Sequence, residues 1–252
     1  MLRLVKISKS FQADGPPLIN KLSLELKTGE FTVLIGGNGS GKSTLLKLIQ
    51  GEHAADEGEV FLDGRPVVHE GLAQRAEFIS TVSQDVHSGT VKELTLLENM
   101  VLSLKRGLTA SFEPVSKHRD FCIEKLKELG LGFEKFLDTP LMHLSGGQKQ
   151  TLALLMATIR KPDLLLLDEP CSALDPKTSK HLMAYIDRVV REAQLTTLMV
   201  THSLPDALEY GDRLIMLKDG RIIVDAKGEK KRALHVSTLL EYYHHFEDSS
   251  LL

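Results

Sequence analysis

The chain has 252 residues, of which 42% are hydrophobic, so it is long enough to bury one large core. A formal net charge of −3 argues against a general nucleic-acid-binding surface, and we expect no nucleic-acid partner. Cys122 and Cys171 stand in unrelated contexts, which favours a reducing compartment over a disulfide or metal framework. The first residues lack the apolar run of a signal peptide, and no apolar stretch is long enough to span a bilayer. We therefore expect another chain to supply any membrane-spanning part.

The first third of the chain predicts short strands and one helix. Alternation of apolar and polar residues in MLRLVKISKSF and LSLELKTGE predicts two strands. FTVLIG, residues 31–36, is an apolar run ending in glycine, as expected of a buried parallel strand. KSTLLKLIQG then predicts a helix that stops at Gly51, and GEVFLDGRPV predicts a hairpin turning at Asp63-Gly64.

From about residue 90 to 143 strand signals fade, and TLLENMVLSLKR and VSKHRDFCIEKLKELG predict helices separated by the polar GLTASFEPVS. Strands and helices then alternate from DLLLLDEP to RIIVDA, which predicts a mostly parallel sheet with helices on its faces. The segment from Glu229 to Leu252 predicts one or two short helices and a frayed end. Its YYHHF stretch, residues 242–246, is interpreted as a surface segment, because adjacent histidines point in different directions on a helix.

The strongest motif is GGNGSGKST, residues 36–44, which fits the phosphate-loop pattern G-x-x-x-x-G-K-[ST] between a strand and a helix. Backbone N–H groups of such a loop can cradle phosphates. Lys42 adds charge for the β- and γ-phosphates, and the Ser43 hydroxyl can ligate Mg²⁺. The predicted nucleotide-binding residues are Gly36, Gly37, Asn38, Gly39, Ser40, Gly41, Lys42, Ser43 and Thr44. A chance glycine turn would not be expected in this context.

Two carboxylates follow the apolar run LLLL at residues 164–167. Ligands bind at the carboxyl ends of parallel strands, so Asp168 is predicted to hold Mg²⁺ and Glu169 to act as general base on the attacking water. Alone, such a pair is usually a helix cap or a solvated turn. The phosphate loop favours the functional interpretation.

Three further residues give weaker signals. His202 follows the apolar TLMV and could reach a γ-phosphate, although a lone histidine is more often structural. Gln84 follows another apolar strand, where its amide could reach Mg²⁺ or water, although glutamine is common in exposed loops. Phe11 could stack on an adenine ring, or be a partly buried core or edge residue.

The stretch LSGGQ, residues 144–148, resembles a second anion site. Ser145 could cap a helix, and Gly146 and Gly147 would let an anion approach the bare N–H groups of the first turn. The plainer alternative is that Ser145 only caps the helix and the glycines only ease a tight loop.

These motifs, in this order, resemble the ATP-binding subunits of ABC transporters over nearly the whole chain. The Walker A motif matches residues 36–44, the Q-loop Gln84, the signature residues 144–148, and Walker B residues 164–168. The catalytic glutamate, the D-loop aspartate, the switch histidine and the adenine-stacking aromatic match Glu169, Asp175, His202 and Phe11. Two small departures are Cys171, where the family commonly has Thr, and Gly37, where it commonly has Pro.

The resemblance implies an α/β P-loop NTPase (RecA-like) core with an antiparallel β subdomain and an inserted α-helical subdomain. Residues 1–252 would form a single ABC ATPase domain, with a core at about 1–89 and 150–228, a helical subdomain at 90–149 and a C-terminal helical tail at 229–252.

The resemblance also implies an ATPase that uses ATP and Mg²⁺. Two subunits, either two copies or two homologues, would pair head to tail with ATP between them. Ser145, Gly146, Gly147, Gln148 and Asp175 would then contact the partner's ATP. Closure of the site would be transmitted to integral membrane permease subunits.

A separate chain favours a bacterial importer at the cytoplasmic face of the inner membrane, with a periplasmic or extracellular substrate-binding protein. The sequence is also similar to an uptake group suspected of handling amino acids, including aromatic ones. The alternative is a soluble ABC ATPase acting in assembly, repair or translation. Translation types usually carry two cores, and repair types carry long coiled coils, whereas this chain has one core and a short insertion.

Overall fold

The computed structural model describes residues 2–12, 15–84, 89–105, 113–172 and 174–244. Within these ranges the strands are β1 (Leu2–Lys9), β2 (Ile19–Leu26), β3 (Phe31–Gly36), β4 (Glu57–Leu62), β5 (Arg65–Pro66), β6 (Ile79–Val82), β7 (Leu164–Asp168), β8 (Thr196–Val200), β9 (Arg213–Lys218) and β10 (Arg221–Lys227). The α-helices are α1 (Lys42–Gln50), α2 (Leu72–Arg75), α3 (Leu96–Leu104), α4 (Arg119–Glu128), α5 (Gly146–Thr158), α6 (Pro176–Glu192), α7 (Leu204–Glu209), α8 (Glu229–Arg232) and α9 (Val236–His244).

The larger sheet has six strands in the order β10-β9-β3-β8-β7-β6. All neighbours are parallel except β10, which pairs antiparallel with β9. The predicted, mostly parallel sheet is confirmed. Since β3, β6, β7 and β8 run the same way, the residues that follow them meet at one edge, where ligands bind in such sheets.

The smaller sheet is antiparallel, in the order β2-β1-β4-β5. The predicted hairpin forms between β4 and β5, and Asp63 and Gly64 both have positive φ angles, 47° and 77°. That pair of angles is typical of the tight turn that Asp-Gly favours. The α/β fold with an antiparallel β part is therefore confirmed.

Apolar residues fill both faces of the larger sheet. On β3, Leu34 packs toward the small sheet and α1, whereas Val33 and Ile35 pack toward α6 and α9. This alternation follows from the two-residue period of a strand. The apolar runs recognised in the sequence are therefore strands covered on both faces.

The insertion has its own apolar cluster, built from α3, α4, the turns that follow them and one side of α5. Thr95 and Glu98 form a capping box at the start of α3. The predicted helices are confirmed, whereas residues 106–112 of the predicted separating segment lie outside the described part. The division into domains stays a prediction, and its boundary at 149/150 falls inside α5.

The helices α8 and α9 confirm the short helices predicted after residue 228, and the predicted frayed end lies outside the described residues. The surface interpretation of YYHHF is wrong for Tyr243, which is half-buried and packs with the cluster around Val33. The side chain of His244 and residues 245–246 are outside the described part. Among the described helices, none has the length and apolar character needed to cross a membrane.

Candidate nucleotide site

The loop between β3 and α1 depends on glycine at several positions. Gly39 and Gly41 have φ angles of 77° and 101°, which favour glycine. A Cβ on Gly41 would lie 2.6 Å from Ile19 Cδ1, and a Cβ on Gly36 would lie 2.3 Å from the Leu217 carbonyl oxygen. The loop is therefore enclosed by neighbouring backbone on one side, while a Cβ on Gly39 would meet nothing within 4 Å.

Lys42, the first residue of α1, turns back into this loop. Its Nζ donates hydrogen bonds to the carbonyl oxygens of Gly36, at 2.8 Å, and Gly37, at 2.9 Å. Burial lowers the pKa of Lys42, and the carboxylates of Glu169 and Asp168 oppose that shift. Both carboxylates therefore lie near enough to the ammonium group to interact with it electrostatically.

The polar groups of this loop fit a phosphate. The Ser40 Oγ is buried and has no hydrogen-bond partner among the described residues. Lys42 uses two of its three N–H donors within the loop. Asp168, at the end of β7, offers the carboxylate that Mg²⁺ prefers, and burial followed by the charge of Glu169 raises the pKa of Asp168.

Glu169 and His202 meet at the same edge of the sheet. Glu169 Oε1 lies 2.5 Å from His202 Nε2, and the side chain of Glu169 is 14% exposed against 47% for His202. The Glu169 backbone has a φ of 50° and donates its N–H to the carbonyl of Val200, the last residue of β8. A positive φ at a non-glycine residue is costly, and this bond to the neighbouring strand holds it in place.

Phe11 and Gln84 lie beyond this group. Phe11 is 58% exposed, so the alternative of a core residue is wrong. It lines a cavity of about 800 Å³ together with Gly39 of the phosphate loop, and its ring meets His53 edge-on at 5.3 Å. Gln84 is exposed two residues past β6, and residues 85–88 beyond it are not described.

One buried residue near Gln84 was not predicted. Gln150 of α5 is 2% exposed, and its Nε2 lies 3.5 Å from the carbonyl oxygen of Ser83. It joins the helix that follows LSGGQ to the end of β6. Its position in KQT carries no sequence signal, because burial of a single helical glutamine depends on the tertiary packing.

Ser145 caps α5, as the plainer interpretation of LSGGQ predicted. Its Oγ accepts the Gln148 N–H at 3.3 Å, and its own N–H donates to Gln148 Oε1 at 2.8 Å. A Cβ on Gly147 would lie 2.8 Å from Thr178 Cγ2, so packing against α6 explains that glycine. Gly146 is exposed and a Cβ there would meet nothing within 4 Å, so packing within the described chain does not explain it.

Residues 145–148 of the signature and Asp175 line one groove of about 810 Å³. Asp175 caps α6, and hydrogen bonds from Thr178 and then Lys177 lower the pKa of its carboxyl group. This groove and the cavity that holds Phe11 and Gly39 have no lining residue in common. Within the described chain, the cavity beside Phe11 and Gly39 is therefore separate from the groove beside the signature.

The parallel sheet, the glycine loop with its lysine and the adjoining carboxylates define the class of P-loop nucleotide-binding proteins. Within this class, the chain belongs to the ABC transporter family. The family model, described as ABC transporter, matches residues 19–172. It is an ATP-binding subunit with ATPase activity, and its cofactors are ATP and Mg²⁺.

Curated relatives and solved structures agree with this family. The chain is 41% identical over 247 residues to a tyrosine transport ATP-binding protein of Clostridioides difficile, covering 96% of this chain and 98% of that one. It is 34% identical over 250 residues to the spermidine/putrescine import ATP-binding protein PotA of Shigella flexneri, covering 98% of this chain but only 63% of PotA. A dimeric ATP-binding cassette in a post-hydrolysis state, bound to ADP and Pi, matches with a TM-score of 0.75 and 31% identity, covering 90% of this chain and 98% of that one.

Proposed function

We propose that residues 36–44 hold the phosphates of ATP, with Phe11 against the adenine and with Ser43, Gln84 and Asp168 as ligands of Mg²⁺. Glu169 and His202 are the proposed catalytic residues. The observation that carries this proposal is the 2.5 Å contact between Glu169 and His202, with Glu169 also interacting with Lys42. When bound, Mg²⁺ supplies neutralising charge at the transferring phosphate.

In this site each side chain has a separate task. Lys42, fixed by two backbone carbonyls, places positive charge beside the phosphate loop. Glu169 accepts the proton of the attacking water, and His202 holds the Glu169 carboxylate from the solvent side. The backbone bond from Glu169 to Val200 fixes the base relative to Asp168, the preceding residue.

We propose that hydrolysis requires a second subunit, either a copy of this chain or a homologue. Residues 145–148 of the signature line a groove apart from the phosphate loop, and Gly146, in the first turn of α5, is exposed. An anion held by a partner's loop would fit there, since a helix N-terminus attracts negative charge. The dimeric state of a solved relative supports this arrangement.

We further propose that the subunit drives solute uptake from the cytoplasmic face of the membrane, together with permease subunits and a substrate-binding protein. Support comes from relatives named as tyrosine transport and spermidine/putrescine import proteins. The 41% identity over nearly the full length of the former favours an amino acid, with aromatic ones first, as cargo.

The nucleotide site is tested with Lys42→Ala in the purified chain. Loss of the ammonium group should weaken ATP binding about tenfold or more, the effect of removing a hydrogen bond to a charged group. Lys180→Ala, which removes an exposed lysine on α6, is the matched control. Unchanged affinity in Lys42→Ala would refute the assignment of the loop.

Transport is tested by copurification from membranes. Recovery with a permease, and ATPase activity stimulated by an aromatic amino acid with its binding protein, would support the proposal. Recovery with ribosomes or DNA, and never with a permease, would favour the soluble alternative.

A further inference from the structure

The helix α9 lies against the phosphate-loop side of the larger sheet. Leu239 is fully buried in the cluster that contains Val33 and Ile35 of β3. Tyr243 follows one helical turn later, so it lies on the same face of α9 as Leu239. This face is therefore directed at the end of β3, where the phosphate loop begins.

Tyr243 lies beside Gly37, the second residue of that loop. A Cβ built on Gly37 would lie 3.9 Å from Tyr243 Cε1, the only atom that it would meet among the described residues. Burial raises the pKa of Tyr243, and the nearby backbone of Gly36 acts in the opposite direction. The ring thus borders Gly37, and the hydroxyl group is near enough to the Gly36 backbone for the two to interact electrostatically.

The same two glycines fix Lys42, since its Nζ binds their carbonyl oxygens. Glycine has more conformational freedom than any other residue. The carbonyls of two adjacent glycines would therefore not by themselves hold the Lys42 ammonium group in one position. A side chain packed on them reduces that freedom in the folded state. Tyr243 occupies that position.

We propose that Tyr243 is a positioning residue for ATP binding, which holds Gly36 and Gly37 in the conformation that fixes Lys42. The residue acts through the loop and does not itself touch the nucleotide. This inference rests on the proposed assignment of residues 36–44 as the phosphate loop. It gives α9 a role in the ATPase cycle, so that displacement of this helix would weaken ATP binding.

The test compares the ATP dissociation constants of purified full-length variants, measured with Mg²⁺ well below their unfolding temperatures. Tyr243→Ala should raise the constant about fivefold or more, and Tyr243→Phe, which keeps the ring, should raise it less. The matched control is Tyr242→Ala, because Tyr242 is the adjacent aromatic residue of α9 and is 37% exposed. An ATP affinity of Tyr243→Ala equal to that of Tyr242→Ala would overturn the proposal.

A double variant separates positioning from a general loss of stability. In Gly37→Ala, the added Cβ lies 3.9 Å from Tyr243 Cε1, an ordinary contact distance. Alanine also has fewer accessible backbone conformations than glycine, so the loop is less flexible. The factor lost on Tyr243→Ala should therefore be smaller in the Gly37→Ala background than in the natural chain. An equal factor in both backgrounds would show that Tyr243 does not act through Gly37.

Two outcomes need separate readouts. If Tyr243→Ala does not fold, Tyr243→Leu decides, because it keeps a large apolar side chain on α9 but removes the ring beside Gly37. An ATP dissociation constant for Tyr243→Leu equal to that of Tyr242→Ala would then overturn the proposal. Lys42→Ala distinguishes the inference from the assignment that it rests on. If Lys42→Ala loses ATP binding while Tyr243→Ala keeps the natural affinity, only the role of Tyr243 is refuted. If Lys42→Ala binds ATP as the natural chain does, the assignment of the phosphate loop itself is refuted.

Discussion

The carboxylate of Glu169 lies 2.5 Å from the imidazole of His202, although the two residues follow different strands. Their meeting depends on the parallel pairing of β7 with β8, in which Asp168 is opposite Val200. One residue past that pair, the Glu169 N–H binds the Val200 carbonyl. The register of two buried strands therefore sets the position of the proposed base.

Glu169→Gln should lower steady-state release of phosphate by about 10²-fold or more, because an amide cannot accept the proton of the attacking water. ATP binding should remain, and an ATP-bound dimer should accumulate on size exclusion. Glu192→Gln, at an exposed carboxylate near the end of α6, is the matched control. A variant at Glu169 that hydrolyses ATP at the normal rate would refute the role given to this residue.

His202→Ala should reduce phosphate release by about ten- to a hundredfold, which corresponds to the 1.5–3 kcal/mol of a hydrogen bond to a charged group. The ATP dissociation constant should change little, because the contact of His202 is with Glu169. The exposed His69, between β5 and α2, provides the control variant, His69→Ala. Equal turnover in the two variants would show that His202 is not needed to hold the base.

Local sequence patterns could predict the phosphate loop and the strands before Asp168 and His202, because each is a short pattern with a fixed context. Their meeting at one edge followed from the parallel sheet. The contact between Tyr243 and Gly37 could not be predicted, since it joins segments at opposite ends of the sequence. From the sequence alone, YYHHF is interpreted as a surface segment. The burial of Leu239 shows which face of α9 packs against the core.

Arg75→Ala should lower the free energy of unfolding by about 3 kcal/mol, since it leaves buried carbonyls unpaired. Arg75 is 2% exposed, and its guanidinium group donates to the carbonyls of Leu48 and Ile49, in the last turn of α1, and of Val67. Urea unfolding measures the change. Arg65→Ala, at a salt bridge with Glu70 on the surface, should cost less than about 1 kcal/mol. Similar losses in both variants would contradict a special role of Arg75.

The buried position of Arg75 also could not be predicted from the sequence pattern. A single arginine in a polar stretch favours a solvated position, because an exposed charge needs no partner. Here the last carbonyls of α1 lack partners within the helix, and Arg75 binds two of them. Only the placement of α2 beside the end of α1 brings these groups together.

The free energy of unfolding should rise with pH between about 8 and 10.5 because of Lys231. Burial lowers the pKa of Lys231 to about 8, against 10.5 in its ordinary state, while its Nζ donates to the carbonyls of Tyr210 and Gly211. In that window the unfolded chain binds more protons than the folded one, so raising the pH favours folding. Urea unfolding at several pH values should show a steeper rise in the natural chain than in Lys231→Met. Equal slopes would contradict the buried charge.

Each proposed ATP site combines the phosphate loop of one subunit with the signature of another. Neither Lys42→Ala nor Ser145→Arg should hydrolyse ATP alone, the former because its phosphate loop lacks the ammonium charge and the latter with ATP binding intact. A mixed dimer of the two variants has one site in which both halves are natural. Phosphate release from an equimolar mixture should therefore recover to about a quarter of the natural rate, since about half of the dimers are mixed and each has one complete site of two. A mixture that stays as inactive as its components, with both chains folded and paired, would contradict the shared site.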